Sequence, residues 1–203
     1  MQSHLLTRDE GAELLGPIAA DLHACLNSAW QRWLRHPDAA TASRRTRAST
    51  VYDYIAEAVE LRFAGRDGIS LTWRYGSLVM TVQGVALIKF KKFRGRRLRT
   101  SGISTNERQA FLAQTGVLDG MLVTHLVVGY LLDKLEQETA AIAATAPLGQ
   151  GNLWTLDLGE AFGDTGQAPL PIKVDPDTGS GPIIRSTEVA AAEQNATNPD
   201  AEE

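Results

Sequence analysis

A chain of 203 residues with 43% hydrophobic and 22% charged side chains has the composition of a water-soluble globular protein with room for one core. Its net charge of −4 is unevenly spread: residues 44 to 99 hold thirteen Lys and Arg against four Asp and Glu, whereas residues 100 to 203 hold four against fifteen. The single cysteine, Cys25, excludes an internal disulfide and fits a reducing compartment, and the apolar run from Met121 to Leu132 is well short of the roughly 20 residues that span a bilayer.

Met1 to Glu10 lacks the basic start and apolar stretch of a secretory leader, so a cytoplasmic location is expected. Thr7-Arg8-Asp9-Glu10 spells a capping box, in which a hydroxyl and a carboxylate satisfy each other's backbone amides, and it predicts a helix start. Leu14, Leu15, Ile18, Leu22, Cys25, Leu26, Trp30 and Trp33 then recur at three- and four-residue steps. Pro17 inside this pattern predicts a kink or a later start. Residues 37 to 48 read as a loop, and Ser49 or Thr50 as the cap of a second helix ending near Phe63, with Tyr54, Ile55, Val59 and either Leu61 or Arg62 buried.

Past Gly68 the period changes to two. Ile69, Leu71 and Trp73 alternate with polar residues, Tyr75-Gly76-Ser77 marks a turn, and Leu78 to Val82 and Val85 to Phe93 complete an antiparallel meander, with Gly95 a further turn. Ser104-Thr105-Asn106-Glu107 spells a second capping box, predicting a short helix to Gln114 that buries Ala110 and Phe111. The β-branched content of Met121 to Asp133 favours a strand over a helix, with Leu122, Leu126, Val128, Tyr130 and Leu132 on one face and Val123, His125, Val127, Gly129 and Leu131 on the other. Two more strands are expected around Ile142 and from Trp154 to Leu158. The expected architecture is α+β: residues 1 to 160 form a single domain of N-terminal helices packed on a mostly antiparallel sheet. Residues 161 to 203, rich in Gly, Pro and acids, form a disordered acidic tail.

The strongest functional signal is Lys89-Phe90-Lys91-Lys92-Phe93-Arg94-Gly95-Arg96-Arg97-Leu98-Arg99, with seven cations in eleven residues. At this density Lys89, Lys91, Lys92, Arg94, Arg96, Arg97 and Arg99 can neutralise successive phosphates and release their counterions. Nucleic acid or an acidic protein is therefore the expected partner. The competing explanation is a lysine-protected edge strand, which discourages intermolecular pairing. A third is masking of the run by the acidic tail.

Catalytic and metal chemistry finds no support. Ile88-Lys89-Phe90-Lys91 lacks the acid that a metal-dependent nuclease strand needs, and Glu57 and Glu60 lie three apart on a helix without further ligands. His23, His36 and His125 match no zinc spacing. His125 with Asp133 is the remaining acid/base candidate. Asp175 to Gly181 lacks the distal Glu of a calcium loop, and Gly149-Gln150-Gly151 lacks the following Lys of a phosphate loop. No catalytic residue, metal or cofactor is expected.

Lys91-Lys92, Arg99 to Thr105, Phe111 to Gln114 and Thr124 to Tyr130 carry a family likeness. Over about residues 70 to 158 the chain resembles small uncharacterised proteins of actinobacteria and their prophages. In that group a helix-turn-helix protein fused to an ImmA/IrrE-type metallopeptidase is often a neighbour. The resemblance implies a toxin-antitoxin-like or phage-defence setting and carries no catalytic residue to any position. Three classes of function follow as expectations: a non-enzymatic binding component, an effector enzyme acting on nucleic acid, and an oligomeric scaffold.

Overall fold

The first helix, α1 (Arg8–Leu34), starts at the expected capping box: the Glu10 amide donates to Thr7 Oγ1, and the Thr7 amide to Glu10 Oε2 at 2.7 Å. It continues through Pro17, so the later start does not occur; Leu15 and Ile18, on either side of the proline, are both buried. These details come from a computed structural model that describes residues 4 to 100, 105 to 115, 117 to 118 and 121 to 159. The expected disordered tail, residues 161 to 203, lies outside them.

Helix α2 (Arg44–Phe63) begins earlier than periodicity suggests. Ser43, not Ser49 or Thr50, is the cap, its hydroxyl accepting from the Thr46 amide. The extra turns are mostly solvent-facing and carry no apolar stripe, so hydropathy could not reveal them. The buried face is Val51, Ile55, Ala56, Val59 and Phe63. Leu61 is not part of it, being 81% exposed, whereas Tyr54 is half-buried, packed against the core at its edge and lying under the Arg32 guanidinium, 3.9 Å from its ring centre. The two helices are also joined by Asp21, which accepts from Arg62 and Arg66. The Arg62 bond first, and then Arg66, hold its carboxyl below the usual range.

The meander forms as expected from β1 (Ile69–Arg74), β2 (Ser77–Val82) and β3 (Ala86–Arg94). Its first turn, Tyr75-Gly76, has positive φ at both residues, 49° and 70°, the twist a two-residue hairpin needs. Next to β3, however, lies β7 (Thr124–Leu132), parallel to it from Ala86 opposite Thr124 to Lys92 opposite Tyr130. Strands β8 (Thr139–Leu148) and β9 (Gly151–Asp157) follow antiparallel. The order is β1-β2-β3-β7-β8-β9, with β4 (Arg99–Thr100) hydrogen-bonded to the end of β3. The fold is α+β with a mostly antiparallel sheet.

A parallel pair requires a crossover, and residues 95 to 123 supply it. This segment holds β4, helix α3 (Asn106–Leu112), β5 (Val117–Leu118) and β6 (Met121–Leu122). Thr105 caps α3, accepting from the Arg108 amide. Ser104, the expected cap, lies outside the described residues. The shift of one residue leaves Ala110 exposed and Phe111 buried.

Alternation on β7 separates two cores as expected. Leu126, Val128, Tyr130 and Leu132 join Ile88, Phe90, Ile142, Ala144 and the helices α1 and α2. Val127 and Leu131 face the other way, with Phe93, Leu98, Phe111, Leu87 and Ala143. One face of the sheet therefore carries the N-terminal helices and the opposite face carries the crossover. Among the described residues no helix is long and apolar enough to cross a membrane.

Gly129 lies opposite Lys91 in the parallel ladder, where an added Cβ would fall on the Lys91 carbonyl oxygen and 2.9 Å from Phe93 Cε2. Backbone cannot yield as a flexible side chain can. Gly129→Ala is expected to destabilise the fold by about 3 kcal/mol, although alanine suits a strand no worse than glycine. Urea unfolding followed by circular dichroism measures this; an unchanged midpoint would refute the close approach.

Candidate polyanion interface

The basic run is divided by the fold into a stem on the central strand β3, with Lys89 and Lys92 half-buried and Lys91 exposed, and a fully exposed tip. The stem lies on β3, which is paired with β2 on one side and β7 on the other, so it is no edge strand and edge protection does not explain its lysines. Lys89 Nζ is 2.6 Å from Glu107 and lies over the Phe111 ring, 4.9 Å from its centre. Lys92 Nζ is 2.8 Å from Glu136, which also accepts from Arg47 of α2. The Lys92 bond first, then Arg47, hold the Glu136 carboxyl below its usual range. These two lysines fasten β3 to α3 and to the β7–β8 loop. Lys91 has no such partner among the described residues; loss of hydration first, then Lys89 and Arg108, hold its ammonium below the ordinary lysine range.

The tip is different. Arg94, Arg96, Arg97 and Arg99 are all exposed, and none has an acidic partner among the described residues. Arg94 and Arg99 lie directly opposite each other in the β3–β4 ladder, a juxtaposition of like charges that opposes folding. Gly95 at φ 62° and Leu98 at φ 47° turn the chain between them, closed by the Leu98 amide donating to the Gly95 carbonyl at 3.0 Å. Leu98 is the anchor: it is buried against the second core beside Phe93 and Phe111. The arginines are thus presented from a hairpin whose base is packed.

Three further links fix the crossover that carries the hairpin. Asn152 Nδ2 donates to the Arg97 carbonyl at 3.1 Å, and the Gly149 amide to the Leu112 carbonyl at 2.9 Å. The third is Gln114, which sequence reasoning passed over as the end of a helix. Its buried amide accepts from the His125 N–H at 2.7 Å and donates to the carbonyls of His125 and Pro147, at 2.8 and 2.7 Å. In this way one side chain takes the place of a neighbouring strand. The only sequence sign was a glutamine directly after an amphipathic helix, a common and uninformative arrangement.

His125 and Asp133 are not brought together. They stand at opposite ends of β7, and each is otherwise engaged. His125 Nδ1 donates to the Phe111 carbonyl at 2.9 Å while its ring stacks on the Phe111 ring. Asp133 accepts from the amides of Leu135, Gln137 and Glu138, capping the turn after β7. The acid/base pairing is therefore withdrawn. Cys25 is buried, and burial pushes its thiol up to about 11, far from a reactive thiolate. Among the described residues no cluster of three or more His, Cys, Asp or Glu could hold a metal ion.

No family model, no curated protein and no solved structure matches this chain.

Gln114→Glu keeps an acceptor for the His125 amide but sets a carboxylate against two buried carbonyls. It is expected to cost about 3 kcal/mol in urea unfolding, and an unchanged midpoint would remove Gln114 from the scaffold of the site. Burial first, and then Lys89, hold the His125 pKa below its ordinary 6.5. The unfolded chain therefore gains a proton that the folded chain resists, so stability is present above about pH 6.5 and declines as pH falls below it. Thermal melting between pH 5 and 8 should show this decline in the wild type and lose it in His125→Gln.

Proposed function

We propose that this chain is a non-enzymatic binding component of a toxin-antitoxin-like or prophage defence module, and that its β3–β4 hairpin grips the phosphate backbone of nucleic acid. The observation that carries the binding half is the pairing of Arg94 with Arg99 across the hairpin, with Arg96 and Arg97 between them and none of the four in an ion pair among the described residues. Holding four guanidinium groups in mutual repulsion costs stability, and a line of phosphates removes that cost on binding.

Residue type supports an oxyanion partner, and a phosphate backbone is the regular array that clustered cations can neutralise together. Four of the five exposed cations of the run are arginine, Lys91 being the fifth, and the planar guanidinium fork meets phosphate oxygens in pairs, whereas Lys89 and Lys92 are engaged by the chain's own carboxylates. The defence setting is carried by the resemblance of residues 70 to 158.

Fluorescence anisotropy of the full chain with labelled DNA and RNA, at two salt concentrations, tests this reading. With about four phosphates neutralised, doubling the salt should weaken binding about tenfold. Reversing Arg94, Arg96 and Arg97 to Glu should abolish binding with the fold intact by circular dichroism. Absence of binding at low salt would refute the nucleic-acid reading and leave an acidic protein as the partner to test.

A further inference from the structure

Beside the hairpin lies an open groove of about 500 Å³, within the range that encloses a small ligand. Its floor includes Val127 and Thr145, which face each other across β7 and β8. Its sides come from β4, α3 and the β8–β9 turn, and they bring Arg99 and Arg108 to the same space. The Arg108 guanidinium donates to the Thr100 carbonyl at 2.9 Å, which holds it against the backbone next to Arg99.

Thr145 is the unexpected element. It is only 1% exposed, yet its hydroxyl makes no hydrogen bond among the described residues. A buried hydroxyl without a partner is a standing cost, and valine would fill the same space without it. Polar chemistry at this depth points to a ligand that enters the groove. A carboxylate side chain would satisfy the arginines and extend no further, whereas a nucleotide can leave its phosphate there and carry a sugar or base with polar groups to the floor.

We propose that this groove receives one unpaired nucleotide of a single strand, its phosphate held by Arg99 and Arg108 and its sugar or base bonded to Thr145. The proposal rests on the hairpin reading above and adds that the strand is single. In a duplex the bases are stacked and paired, and none is free to enter a groove of this size without being flipped out. The chemistry recognised, a nucleoside phosphate, is shared by a strand and by a free nucleotide.

The test uses the full-length chain with a fluorescein-labelled 12-nucleotide single strand, a duplex of the same length, and uridine 5′-monophosphate. The single strand should bind about tenfold more tightly than the duplex, and Arg108→Gln should remove about that factor, the worth of one charge-assisted contact, leaving duplex binding unchanged. Thr145→Val should weaken the single strand about threefold while the melting temperature stays level or rises. A fall of several degrees in that variant would place a protein partner on the hydroxyl and overturn the proposal. Equal binding of strand and duplex, unaffected by either groove variant but abolished by the Arg94, Arg96 and Arg97 reversal, would overturn the groove and leave the hairpin grip standing. Absence of binding by the wild type would overturn both. Saturable binding of the monophosphate, lost in Arg108→Gln and without a single-strand preference, would make the ligand a free nucleotide and refute the strand.

Discussion

The structure depends on the parallel pairing of β3 with β7. Neighbouring antiparallel strands can be joined by a turn of two or three residues, but parallel neighbours need a connection that travels the length of the sheet and returns. With α1 and α2 already packed on one face, through Leu15, Leu22, Trp30, Ile55 and Val59, the connection occupies the other. The basic hairpin, α3 and the groove between them all belong to that connection. Gly129 allows the two backbones to approach, and Phe93 fills the space that its missing side chain leaves.

Electrostatics on the crossover face follow a division of labour. Two carboxylates beside the basic run are bound by its lysines, Glu107 by Lys89 and Glu136 by Lys92 together with Arg47, and these bonds hold strand, helices and loop together. The arginines that follow receive none among the described residues. Surface ion pairs of this kind contribute little to stability, typically below about 1 kcal/mol. Their importance here is positional: they tie the stem lysines into the fold, and among the described residues the hairpin tip has no ion pair. The Gln114 amide, the Asn152 side chain and the buried Leu98 give that tip a defined place. A polyanion would meet a preformed surface, with little ordering cost on binding.

Legibility in the sequence tracked the range of the interactions concerned. Thr7 and Glu10 are three residues apart and the cap they make is local, so the start of α1 could be read directly. The alternation along β7 depends only on the two-residue strand period, and it correctly assigned Leu126 and Val128 to one core and Val127 and Leu131 to the other. The start of α2 was missed because its first turns are polar and are retained partly by Arg47 reaching Glu136, a contact between distant segments. The candidate site was legible as composition only. Nothing local distinguished Lys89 and Lys92, which bind carboxylates, from Arg96 and Arg97, which bind none among the described residues.

From the order of residues came the α+β class, the helix caps and turns, the period of each strand, and the presence of a dense cationic run, because all of these arise within a few residues of one another. Which strand lies beside which, that β3 is central rather than at an edge, that Gln114 substitutes for a missing strand neighbour, and that Arg99, Arg108 and Thr145 share one groove arise between segments tens of residues apart. Such pairings are selected by the burial of two cores on opposite faces of a single sheet, a condition satisfied only by the whole chain at once.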